Sequence, residues 1–301
     1  MSRTNRYGAG AAGLILAGAI HALSFADGPL PTWLLPFVDL IGLAFLAHRV
    51  FQAPTIRQGA IAGFLFGLSN FAVGLYWITI SLHDYGGLPL APSIGAVIIL
   101  AAFEALFIAL ACALSHALST RHLRGLMNYR WHLLIAAVWA SCWTGAEWLR
   151  GTLFTGFPWL NIGYAHVEGV LSGWAPVIGV YGLAWLASFA AGAIALLARA
   201  YNTPNDAPAA IAFGGVIVIG LFSILLSHVG WSSPSGKPLV IRMVQGNIPQ
   251  SEKFDPQKMS QAIDTHMRLA ALPPKGSDKG PDIIVLPETV MPLFQDRYSP
   301  R

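Results

Sequence analysis

The sequence predicts a membrane-embedded all-α bundle of about seven transmembrane helices, followed by the start of an α/β domain. Three observations predict it. Hydrophobic residues make up 55% of the 301-residue chain and charged residues only 11%, where a soluble domain carries about 25% charge. Seven stretches are mostly apolar over roughly the 20 residues that a helix needs to cross hydrocarbon. Beyond Trp231 the composition changes: all five lysines and seven of the 14 acids lie there.

The expected spans are 7–26, 33–48, 58–82, 88–118, 131–148, 176–198 and 208–229. The second is short and contains Pro36 and Asp39, which makes it the weakest. The fourth is long enough to tilt or to extend past the hydrocarbon. Arg3 and Arg6, an apolar core and Ser24-Phe25-Ala26 before Asp27 also fit a cleavable signal peptide; the later spans would keep the same orientation. Gly59, Gly63 and Gly67 repeat on one face of the third span. Such a seam lets a neighbouring helix approach closely, and packing within the chain is favoured over a dimer face.

Orientation follows from arginine. With the N-terminus in the cytoplasm, eight of the nine arginines before Gly230 lie on inner segments, and only Arg150 lies in an outer loop. This satisfies the positive-inside rule. Residues 1–230 are thus read as the transmembrane domain, 231–238 as a Ser/Pro/Gly linker, and 239–301 as a domain outside the cytoplasm.

The net charge of +4 does not indicate a nucleic-acid partner. No lysine precedes Gly230, and the arginines sit mostly between apolar runs rather than on one basic face. Cys112 and Cys142 both lie in apolar runs, where cysteine behaves as a small hydrophobe; two such residues make neither a disulfide framework nor a zinc site. The nine histidines share no ligand spacing, so no metal and no cofactor is expected.

In the outer region Leu239–Gln245 reads as a strand and 256–272 as a helix with apolar residues at Met259, Ile263, Met267 and Leu269 or Ala270. Asp282–Leu286 reads as a short strand of the kind buried on both faces. Strand, helix and strand in that order begin a βαβ-type α/β domain.

Three places are candidates for chemistry. Glu288 follows the second strand directly in Leu286-Pro287-Glu288-Thr289. The C-terminal ends of strands in α/β folds gather ligands and catalytic groups, and a partly desolvated carboxylate there suits a general base; an ordinary solvated glutamate is the plain alternative. The outer loop 150–175 holds Phe157, Pro158, Trp159 and Tyr164 among glycines. It is read either as a wall for a lipid chain or as an interfacial anchor. Asp39 and Glu104 are acids inside spans, which is costly and marks candidate sites. Glu147 and Arg150 are three apart at a helix end, so they can pair structurally.

Taken together these segments resemble apolipoprotein N-acyltransferases. The carrying stretches are Glu147-Trp148-Leu149-Arg150-Gly151, Thr155-Gly156-Phe157-Pro158-Trp159-Leu160 with Gly163-Tyr164, Val244-Gln245-Gly246-Asn247-Ile248-Pro249-Gln250-Ser251, and Pro287-Glu288-Thr289-Val290-Met291-Pro292. The resemblance implies a multi-pass protein of the bacterial inner membrane carrying a periplasmic nitrilase-like (CN hydrolase) αββα sandwich domain, of which residues 239–301 are an incomplete N-terminal part. It implies that a cysteine takes an acyl chain from a phospholipid as a thioester. The chain then passes to the N-terminal cysteine amine of a diacylglyceryl-apolipoprotein. In the family's Glu-Lys-Cys triad the glutamate is the general base and the lysine stabilises the oxyanion, and Glu288 matches that glutamate.

Two departures accompany the resemblance. Lys253-Phe254-Asp255 stands where the family usually shows Lys-Trp-Asp, so Phe254 can cover substrate with an aromatic face but cannot donate an indole hydrogen bond. No residue after Glu288 matches the triad lysine or cysteine, so this chain is expected to be an N-terminal portion, inactive alone, whose outer segment is loosely held. The competing readings are a membrane-tethered nitrilase-like amidase and a non-enzymatic polytopic protein such as a carrier or lipid-binding scaffold.

Overall fold

The computed structural model describes residues 3–25, 30–123, 129–200, 207–250, 252–253, 255–273, 280–288 and 290. The chain divides into two compact units, Met1–Trp231 and Ser232–Arg301.

The first unit is helical throughout its described elements. They are α1 (Arg3–Ala22), α2 (Leu35–Phe51), α3 (Ile56–Gly74), the single turn α4 (Trp77–Ile80), α5 (Leu90–Leu123), α6 (Tyr129–Thr152), α7 (Ala175–Ala200) and α8 (Ala207–Leu226). Local chemistry sets several ends. The Thr55 side chain accepts from Gln58 N to cap α3, satisfying one of the donors that the first turn leaves over. Pro36 falls in the first turn of α2, where no intrahelical donor is lost.

Among the described residues three helices are long and apolar enough to cross a membrane: Thr32–Phe51, Leu90–Ser119 and Ser172–Ala198. The second expected span, weakest by sequence, is one of them, because the preceding turn lengthens it. The expected continuous span 58–82 is broken. Ile56–Gly74 and Trp77–Tyr85 are bent by 47°, and Ser81–Tyr85 forms a π-helical turn. At Gly74 a side chain would collide with Leu160 of the loop between α6 and α7. That bent pair is a fourth candidate, and Gly10–Phe25 and Phe213–Leu226 are shorter apolar helices.

The glycine seam packs within the chain. A Cβ added at Gly63 would meet Cys112 Sγ at 2.7 Å, and one at Gly67 would meet Ala105 Cα at 3.1 Å, so α3 lies directly on α5. Small residues do the same between α6 and α7, where Gly192 faces Trp139 and Ala136. The bundle's surface is apolar instead: Ile98, Ile99, Leu106, Leu110, Leu221 and Leu225 are all exposed. A water-soluble protein does not present apolar surface on that scale. The chain is a membrane protein.

The second unit holds β1 (Ile241–Met243), α9 (Pro256–Ala270) and β2 (Ile283–Val285). The strands pair in parallel with Arg242 opposite Ile284, which requires a crossover, and α9 supplies it. Asp255 caps α9 by accepting from Gln257 N, with Pro256 at the first position. Two expectations are corrected. All three residues of β2 are exposed rather than buried on both faces. Met267 is 50% exposed; the inward stripe of α9 runs through Met259, Ala262, Ile263 and His266.

Candidate functional site

In the membrane unit the candidate is the loop that joins α6 to α7. Three short 3-10 turns replace a continuous helix there: Leu153–Thr155, Ile162–His166 and Ser172–Trp174. Phe154, Thr155 and Leu160 adopt positive φ of 51°, 76° and 58°, a region costly for side chains with a Cβ. Gly156, at φ 83°, is required as glycine, because a Cβ would collide with the carbonyl of Gly151.

Buried polar groups hold this backbone. The Arg150 guanidinium, 3% exposed, donates from Nη1 to Phe157 O and to Trp159 O, both at 2.6 Å. Its Cζ lies 5.2 Å from the centre of the Phe71 ring, and Nη1 lies 4.0 Å from Glu104 Oε2. Glu147 interacts electrostatically with Arg150 and also holds loop backbone. Its Oε1 accepts from Ile162 N at 3.0 Å, and Asn161 accepts from Gly163 N at 2.9 Å. Further along the loop, His166 Nε2 donates to Asp39 Oδ2 at 3.1 Å.

The two intramembrane acids singled out by sequence therefore both face the loop's anchors. Glu104 stands by Arg150 and Asp39 holds His166. Sequence reasoning missed His21, Asn70 and His166, which complete the second anchor. His21 Nε2 lies 3.0 Å from Asp39 Oδ1, though not in line for a hydrogen bond, and its Nδ1 lies 3.0 Å from Asn70 Oδ1. The signal they carry is polarity inside apolar runs, the same one that marks Asp39 and Glu104.

The loop's aromatic side chains turn outward. Phe157 and Trp159 stack with centroids 5.0 Å apart, and Trp159 approaches Trp77 at 6.4 Å. Pro158, Trp159 and Tyr164 are exposed, and Phe157 is half-buried. The four residues expected to contact substrate are thus on one loop, with Phe157, Pro158 and Trp159 contiguous. The arrangement offers a rigid, apolar, aromatic surface to a chain of similar character.

In the second unit Val244, Gly246, Lys253, His266, Glu288 and Val290 line an open pocket. The pocket lies past the C-terminal ends of β1 and β2, as the α/β rule leads one to expect. Glu288 is exposed there. Gly246 is explained by its neighbour: any Cβ would collide with the His266 ring. His266 is 5% exposed, and its Nδ1 lies 2.7 Å from Ala262 O. A carbonyl only accepts, so Nδ1 donates this bond. His266 was also missed, although it lies seven residues after Met259 on the same helix face. Phe254 lies outside the described residues, as does Thr289. No group of three or more metal-ligating side chains occurs among the described residues.

Comparison with known proteins supplies the family. Residues 17–193 match the model of the apolipoprotein N-acyltransferase N-terminal domain. The chain is 48% identical over 286 residues to an apolipoprotein N-acyltransferase of Bordetella bronchiseptica, an alignment covering 94% of this chain and 52% of that protein. It is 38% identical over 283 residues to one of Ralstonia nicotianae, covering 93% and 50%, and 37% over 284 residues to one of Nitrosomonas europaea, covering 94% and 53%. The chain spans about half the length of the curated relatives it matches. Alignments of this length reach from the helical unit well into the second.

Proposed function

The chain belongs to the apolipoprotein N-acyltransferase family, and from that we propose that it is the membrane domain and the base-bearing start of the outer domain of a phospholipid:apolipoprotein N-acyltransferase. The observation that carries this reading is similarity running through both units, together with the aromatic loop and a glutamate past the parallel strands. In the proposed chemistry a cysteine thiolate attacks the ester carbonyl of a phospholipid, and the lysophospholipid leaves. The amine of the apolipoprotein's N-terminal cysteine then attacks the thioester, forms the amide and releases the thiol. Glu288 is the general base. Phe157, Pro158, Trp159 and Tyr164, with Phe254, contact the acyl chain or the lipidated acceptor.

The proposed setting is the bacterial inner membrane. The N-terminus is cytoplasmic, seven spans cross, and the second unit is a nitrilase-like domain in the periplasm. The arginine distribution supports this topology. Among the described residues α1, α6 and α8 do not reach the length and apolarity of a span, and for α6 the charged groups Glu147 and Arg150 are turned into the bundle, where lipid does not meet them.

Neither Cys112 nor Cys142 stands in for the nucleophile, because both belong to the helical unit. The 301 residues by themselves are therefore proposed to be inert. The test is a chimera in which residues 1–301 are joined to the remaining half of the Bordetella bronchiseptica relative. In vesicles with a diacylated lipopeptide it should transfer an acyl chain, and Glu288→Gln should lower the rate roughly 10²–10⁴-fold. A folded chimera that transfers nothing, or an E288Q variant as fast as its parent, overturns the reading. Ammonia release from amides without acyl transfer would mark an amidase, and solute flux would mark a carrier.

A further inference from the structure

Asp39 presents a problem of cost. It is fully buried, and its partners His21 and His166 are each 1% exposed. Taking ionisable groups out of water is expensive unless partners repay it. Nothing in the chemistry proposed above uses any of the three. Their positions show what they join. His21 ends α1, Asp39 lies in the second turn of α2, and Asn70 lies near the end of α3. Three helices thus converge through polar contacts, and the fourth participant, His166, belongs to the loop.

His166 also closes a short, tied stretch. At one end Arg150 holds the carbonyls of Phe157 and Trp159. In the middle Glu147 and Asn161 take the amides of Ile162 and Gly163. At the far end Asp39 takes His166. Between the ties stand the outward aromatic side chains. Leu160, in a left-handed conformation, would relax to a commoner one if either end came free. His21, Asn70 and Asp39 are enough to join the three helices; the His166 contact adds only the loop.

We propose that Asp39, steadied by His21 and Asn70, clamps the loop through His166, and that Asp39 and His166 are positioning residues for the acyl-chain surface at Phe157 and Trp159. This rests on the lipid-contact reading of that loop, and the experiment separates the two. The 301-residue chain is placed in bilayer discs of a phospholipid bearing a diazirine in its acyl chain. Two quantities are read: photolabelling of Trp159 and its neighbours, and hydrogen exchange of the amides at 161–166. His166→Phe keeps the ring volume and removes the donor. Losing a hydrogen bond to a charged group should speed exchange at 161–166 roughly tenfold or more, leave α5 and α7 unchanged, and lower labelling of Trp159 severalfold. His166→Gln, whose amide can place an N–H near the lost Nε2, should restore both.

Exchange at 161–166 unaltered in H166F overturns the clamp. Faster exchange with labelling intact overturns its positioning role, as does an equal loosening of every helix. Absent labelling in the unaltered chain defeats the lipid reading of the loop, while the exchange result still decides the clamp.

Discussion

Arg150 shows how much one side chain can organise. It was legible in the sequence as the lone arginine in a predicted outer loop, and a pairing with Glu147 was the plain expectation. Sequence spacing cannot reveal that its hydrogen bonds go to carbonyls of Phe157 and Trp159, because those depend on a loop conformation with three residues at positive φ. Replacing it tests that account. Arg150→Ala leaves two carbonyls, Glu104 and Glu147 without their buried cation. It should cost about 3–5 kcal/mol of stability, read as a lowered thermal midpoint in detergent. Arg150→Lys keeps the charge but loses the planar guanidinium, and should cost about 1–3 kcal/mol. If R150A melts with the unaltered chain, Arg150 is not the loop's anchor. The acids Asp39 and Glu104 were legible because charge is rare in apolar runs. His21, His166 and Asn70 carry the same signal of polarity among apolar residues, but nothing in their spacing shows that they gather around Asp39.

At the scale of the element, apolar length was a good guide to where helices run and a poor guide to where they break. The run 58–82 is mostly apolar, yet the helix breaks after Gly74, where Leu160, distant in sequence, lies against the glycine. Only tertiary packing carries that information. The glycine seam was readable from its spacing, and the partner it meets, α5, makes a sharp contrast available. Gly63→Ala drives a methyl group against Cys112 Sγ and Ile108 O and should cost about 1–3 kcal/mol through overpacking. Gly95, on α5 itself, has nothing within 4 Å of an added Cβ, so Gly95→Ala should be neutral or stabilising by up to about 1 kcal/mol through helix propensity. Equal melting shifts for the two would show that α3 and α5 are not packed through these glycines. In the second unit the order strand, helix, strand was legible, while the burial of β2 was not. A continuous apolar run says that a strand suits a buried place but not that anything covers it.

For the whole molecule the informative quantity is the difference between the two units. The first unit buries a continuous core of helix against helix, and its exposed surface is apolar and matched to lipid. The second has a two-stranded sheet whose β2 residues, Ile283, Ile284 and Val285, are 43–47% exposed, and Met243 on β1 is 83% exposed. Two strands and one helix bury too little to stand firmly alone. At the start of the second unit, residues 232–238 are exposed, and Gly236 takes a φ of 84°. Exposed, polar and irregular backbone of that kind is the preferred site of proteolytic nicking. Mild proteolysis of the 301-residue chain in bilayer discs should therefore cut first within 232–301 and leave a membrane-embedded product ending near Trp231. That product should keep the thermal midpoint of the parent, because the described core residues all belong to the first unit. A protease-resistant second unit would mean that it is better supported than its exposed strands indicate. A product that loses its helical melting transition would mean that the bundle depends on it.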